Sequence, residues 1–158
     1  MSNARQFHGV VLTLLLVLAA LLAGCSQRPS ADALEGPAKE VSSAVRAASL
    51  AVDLRIADST TAAAASTTAD DMLGDVESAT DHVHRLSAQT QEEGMLRNDV
   101  LGAFSSVSRA LLHARDALSP TSGVSDDAQG RAELSTVQAE LRVATDQLDN
   151  LMTKAGIQ

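Results

Sequence analysis

The chain has 158 residues and a formal net charge of −8, with one cysteine, two phenylalanines and neither tryptophan nor tyrosine. An acidic chain lacks the basic stripe that supplies most nucleic-acid affinity, and one so poor in rings has little from which to build base-stacking platforms or aromatic interface anchors. A lone cysteine closes no disulfide within the chain, so its stability has to come from packing.

The N-terminal segment sets the location. Arg5 is the one firm positive charge before residue 10, and residues 10–22 are continuously apolar apart from Thr13. A charged start, a short apolar middle and a small-residue exit are the marks of a secretory signal. The run is too short for a membrane-spanning helix, which needs about 20 apolar residues. At its exit stand Leu22, Ala23, Gly24 and Cys25. This quartet resembles the lipobox of bacterial lipoproteins. The resemblance implies that residues 1–24 are removed by a signal peptidase that recognises Leu22, Ala23 and Gly24. It also implies that the Cys25 thiol carries a diacylglyceryl group and that the new N-terminus takes a further fatty chain such as palmitate. Each buried methylene contributes about 0.8 kcal/mol and one chain alone holds only marginally, so two or three chains amount to a stable anchor. Ser26 follows the cysteine with no Asp at that position, which in a two-membrane bacterium of the enterobacterial kind implies the outer membrane; in a single-membrane bacterium it implies nothing further, and the lipid alone puts the domain at the cell membrane. Either way the domain faces outward from the cytoplasm.

Beyond the signal remain 134 residues, the size of one domain, with all 20 acids against 11 Lys and Arg, a formal balance of −9. Such a domain is repelled by anionic headgroups, so the lipid has to make the membrane contact by itself. Residues 25–36 read as the lipidated cysteine and a flexible tether, given Pro29, Gly36 and Pro37 among small polar residues.

From Pro37, suited to a first helical position, Val41, Val45, Ala48, Val52 and Ile56 recur on one helical face, with Leu50 and Leu54 widening the stripe. The polyalanine 62–65 extends this first helix, expected over residues 37–65. Thr68 with Asp71 reads as the cap of a second helix over 68–89, whose Met72, Val76, Ala79, Val83 and Leu86 alternate by four and three. Thr90 and Glu93 form a capping box for a third helix over 91–118, the alternative being that the second helix runs on and stops at Gly94. The third helix has the widest apolar stripe, including Val100, Phe104, Val107, Leu111 and Leu118, with Leu101 and Leu112 beside it, and is expected to be the most buried. Pro120 and Gly123 stop it. Ser125 caps a fourth helix over 125–155, in which Leu134, Val137, Leu141, Ala144, Leu148 and Leu151 keep the heptad to Gly156.

No strand pattern occurs. The expected fold is all-α, an antiparallel up-down four-helix bundle over residues 37–158. Four stripes in one chain can bury one another; a leftover face of the first helix is the candidate surface for a homodimer.

His82 and His84 are two apart and diverge on a helix, while Asp81 with His84 and His113 with Asp116 are spaced to share a ligand. A di-iron bundle needs inward Glu and Glu-x-x-His pairs from facing helices, which the chain lacks. His82, His84 and His113 are thus weak metal candidates, and no cofactor is expected. Ser106, His113 and Asp116 share one side of the third helix, but Ser106 and His113 are separated by about 10 Å of helical rise, beyond the reach of a nucleophile and its base. The sequence therefore points away from an enzyme. It points toward an anchored module that binds an envelope protein and no nucleic acid, with a small-ligand or metal-binding module as the alternative.

Overall fold

The computed structural model describes residues 31–119 and 128–157. They form four helices: α1 (Ala31–Ile56), α2 (Ala62–Arg85), α3 (Gln91–Leu118) and α4 (Ala128–Ala155). Each packs on its neighbours in the sequence, α4 closes back on α1, and α1 also meets α3 across the middle, whereas α2 and α4 do not touch. The architecture is the antiparallel up-down bundle expected, with a rhombic section whose short diagonal joins α1 and α3. Among the described residues no helix is long and apolar enough to cross a membrane.

One continuous core fills the section. Its largest fully buried side chains are Phe104, Leu34, Leu111, Leu118, Leu141 and Leu148, with a set of buried valines beside them. The expectation that α3 buries most is corrected: α1 buries ten residues and α3 eight. The reason is side-chain size. Ala38, Ala44, Ala48 and Ala51 let the neighbouring helices close over a wider arc of α1.

Helix boundaries depart from the sequence reading in three places, each with a local cause. Residues 31–36, expected in the tether, are the first turns of α1, and Pro37 lies inside the helix rather than at its first position. A proline in a helix interior costs about 3 kcal/mol, but here it falls near the start. Leu34 is fully buried and Pro37 is buried too; burying a leucine contributes about 1.5–3 kcal/mol and offsets much of that cost. Residues 25–30 lie outside the described residues.

The second departure is the end of α1, at Ile56, nine residues before the expected one. Ser59 N–H donates to the Leu54 carbonyl (2.8 Å) and Asp58 N–H to the Arg55 carbonyl (3.1 Å). Asp58 stands at φ 52°, so the helix stops in the paired-bond motif that ends in a left-handed residue, with aspartate where glycine is usual. Arg55 Nη1 holds the Asp58 carboxylate at 2.9 Å.

Polyalanine 62–65 therefore opens α2 and does not close α1. Thr61 is the cap, its hydroxyl accepting from Ala64 N–H at 3.2 Å. Thr68, the expected cap, sits within the helix and donates to the Ala64 carbonyl (3.1 Å), as Thr67 does to Ala63 (3.0 Å); a helical threonine satisfies its hydroxyl this way. Buried Ala65 and Ala69 carry the seam of Val76, Ala79 and Val83 back to the start of the helix. α2 ends at Arg85 rather than Gln89, with Leu86 as its C-cap.

The third helix begins and ends as expected. Thr90 Oγ1 accepts from Glu93 N–H (3.1 Å) while Glu93 Oε2 accepts from Gln89 and Thr90 N–H (2.8 and 3.3 Å). Arg97 reaches back from α3 and donates from Nη1 to the Leu86 carbonyl at 2.9 Å, while its Nε is buried without a hydrogen-bond partner. α4 is described from Ala128, so the expected cap at Ser125 lies outside the described residues. At its far end Gly156 (φ 72°) closes α4 with the same paired bonds: Ile157 N–H to Met152 (2.9 Å) and Gly156 N–H to Thr153 (3.2 Å). Ile157 then tucks into the core.

Two inward assignments on α1 are also corrected. Leu50 and Leu54 do not widen the buried stripe: they point outward, 58% and 40% exposed. On a helix at 100° per residue they lie opposite Val41, Val45 and Val52, which already fill the core side.

Candidate functional site

Leu22, Ala23, Gly24 and Cys25, on which the expected lipidation rests, lie outside the described residues. Among the described residues, two surface grooves bring polar side chains of different helices together.

The first groove runs between α3 and α4 and encloses about 550 Å³. Ala110 and Ala144 form its floor, Ser106, Arg109 and His113 one wall, and Glu140 and Val143 the other. Small floor residues explain it: alanine on both helices leaves the space that larger chains fill elsewhere. His113 Nδ1 donates to Glu140 Oε2 at 2.7 Å across the groove. An ionised carboxylate only accepts, so the proton sits on Nδ1 and a neutral ring keeps its Nε2 lone pair free. An exposed pair of this kind contributes about 0–1 kcal/mol.

That arrangement orients an imidazole but gives it no nucleophile to activate. Ser106 donates to the Gly102 carbonyl (3.2 Å) and accepts from Arg109 Nη2 (3.3 Å). Asp116, the third member of the superficial triad, is held by Arg115 at 2.8 Å and not by His113. Arg115 also lies 3.8 Å from Asp70 on α2. Its guanidinium is held above the ordinary arginine value, first by the hydrogen bonds it donates to Asp116 and then by that carboxylate's charge.

Of the other histidines, His82 and His84 are exposed on α2. Among the described residues no three His, Cys, Asp or Glu side chains gather to hold a metal ion. The partner of His113 was not foreseen: Glu140 is 27 residues away on another helix, and nothing local to either residue signals the pairing.

The second groove, about 530 Å³, lies between α1 and α4 and is rimmed by Arg46, Leu50, Asp53, Gln138 and Arg142. Gln138 Nε2 donates to Asp53 Oδ1, and Arg46 Nη2 lies 3.7 Å from Asp149. Here the polar groups of α1 alternate with its outward leucines.

No protein-family model matches the chain, and neither a curated protein nor a solved structure shows significant similarity to it.

Proposed function

We propose that the chain is a lipid-anchored lipoprotein of the bacterial cell envelope whose helical domain acts by protein contact and not by catalysis. The observation that carries this reading is the apolar run over residues 10–22 ending in Leu22-Ala23-Gly24-Cys25. A thiolate is the common side chain soft enough to take a diacylglyceryl group as a thioether. The small residues before it let an extended backbone enter a peptidase cleft. The domain's chemistry supports a contact role: its one serine–histidine set is out of reach of itself, and its polar residues sit along helix faces. Growth with an alkyne-bearing palmitate tests the anchor. The native chain takes the label and fractionates with membranes, and Cys25→Ser loses both; label retained in Cys25→Ser overturns the assignment.

A second reading, a module for a small ligand or metal, draws support from the groove between α3 and α4, where the His113 ring pairs with Glu140. Calorimetric titration of the purified chain with zinc and copper separates the two. Micromolar binding that His113→Ala abolishes favours this reading, and heat flow no different from buffer removes it.

A further inference from the structure

We infer that the outward face of α1 is a docking surface for a second copy of this chain, the two α1 helices pairing antiparallel about Leu50. This deepens the reading of the domain as a contact module by naming a partner, and rests on it only in that respect. Ser43, Ala47, Leu50 and Leu54 follow one another by four, three and four on the side of α1 turned away from the core, the spacing of a helix–helix seam. The large apolar residues exposed among the described residues are Leu50, Leu54, Met95, Leu112 and Val143. Only Leu50 and Leu54 lie within one helical turn of each other.

The choice of a second copy comes from the charges beside this seam. Between Glu40 and Arg55 the helix carries two ionised side chains, Arg46 and Asp53. Seven residues apart, they fall on the same flank, about 20° from each other around the axis. They bracket Leu50, Arg46 about 6 Å before it and Asp53 about 4.5 Å after it along the helix. A two-fold axis through Leu50 carries each flank onto itself with the direction reversed. Arg46 then comes level with Asp53 of the second copy, within about 1.5 Å along the axis, and the same contact is made twice, as a self-complementary patch requires. The seam matches as well: Ala47 faces Leu54 of the second copy, small against large, and Ser43 faces Ala57. Parallel pairing would instead set Arg46 and Asp53 against the partner's opposite flank, which holds no charge over this span.

Both charges have a partner on α4 but stay open to solvent. Arg46 has two-thirds of its side chain exposed and reaches Asp149 only at 3.7 Å; Asp53 is exposed and takes one amide hydrogen from Gln138. Four turns of one helix bury less than the roughly 800 Å² per partner of a standard interface, so the dimer is weak in dilute solution and gains from chains held at high local concentration on a membrane.

The test is thiol crosslinking of the whole chain in bacterial envelopes with a short bismaleimide. Leu50→Cys is expected to give a product of twice the chain's mass, while the similarly exposed Val143→Cys on α4 stays monomeric. In the Leu50→Cys chain, Arg46→Asp or Asp53→Arg alone abolishes the product by facing like charges, and the two together restore it. Equal crosslinking at Val143→Cys overturns the proposal. So does an adduct of Leu50→Cys with another protein and no doubled chain, or a double charge variant that fails to restore the product. Circular dichroism confirms that each variant keeps the parent's helicity. Failure of the anchor shows separately, as labelling of the parent chain's Cys25 thiol by a monofunctional maleimide.

Discussion

The turn joining α1 to α2 and the turn joining α2 to α3 both reverse the chain within a handful of residues, by different means. The first is fixed mainly by backbone: paired bonds to Leu54 and Arg55 with Asp58 in the left-handed region, followed by the Thr61 cap. Apart from the caps, its side chains add the ion pair of Arg55 with Asp58 and a hydrogen bond from the Ser59 hydroxyl to the Ala57 carbonyl (3.3 Å). The second is fixed by side chains: Leu86 buried in the core, Thr90 and Glu93 exchanging bonds with each other's backbone, and Arg97 donating to the Leu86 carbonyl. A backbone-fixed turn tolerates side-chain changes except at its one special φ. A side-chain-fixed turn depends on several residues at once, and those depend on one another.

This contrast sets the size of each expected effect. The largest falls on the second turn: Leu86→Ala removes a side chain 2% exposed and should cost about 2–5 kcal/mol. Urea unfolding followed by helical ellipticity reads it, since the chain has no tryptophan or tyrosine to report; a loss under about 1 kcal/mol would remove Leu86 from the core. Next comes Gly156→Ala, at the α4 end that repeats the backbone motif of the first turn. Nothing crowds the added methyl group, so the left-handed backbone alone sets the cost, about 1–2 kcal/mol.

At the capping box, Thr90→Ala should cost about 1 kcal/mol. Combined with Glu93→Ala it should cost less than the sum of the two single losses, by about 0.5 kcal/mol; strict additivity would show that the two side chains act independently. The smallest effect, and the one of opposite sign, is at the first turn. Asp58→Gly relieves a left-handed aspartate and should stabilise by about 0.5–1 kcal/mol, less a few tenths for the exposed pair with Arg55. A net loss would mean that the ion pair, and not the backbone, holds that turn.

The same contrast explains what could be read from the sequence. Thr90 and Glu93 carry a spaced signature, so α3 was bounded correctly from letters alone. Asp58 carries none. Aspartate in the left-handed region is uncommon, and the alanines on either side favour helix without saying which helix they belong to. Thr68 looked like a cap because threonine at the head of an acidic turn usually is one; its bond to the Ala64 carbonyl is a property of the folded helix. The heptads of α2, α3 and α4 were legible because their inward residues repeat without a slip. On α1 the hydrophobicity of the leucines at 50 and 54 suggests burial, whereas valine and alanine already fill the inner arc. Of the candidate groove, His113 was visible in the sequence and Glu140 was not, since their pairing arises only when α3 and α4 lie side by side.

An even number of helices carries a further consequence. A chain that runs up, down, up and down comes back to where it set out, so the start of α1 and the last turn of α4 share one pole of the molecule, beside Leu86. A reporter fused after Ile157 would therefore stand next to whatever grips the residues before Ala31. The chain could also be recut, its two described ends spliced by a few glycines and a new opening made at residues 57–60, with each helix keeping its neighbours.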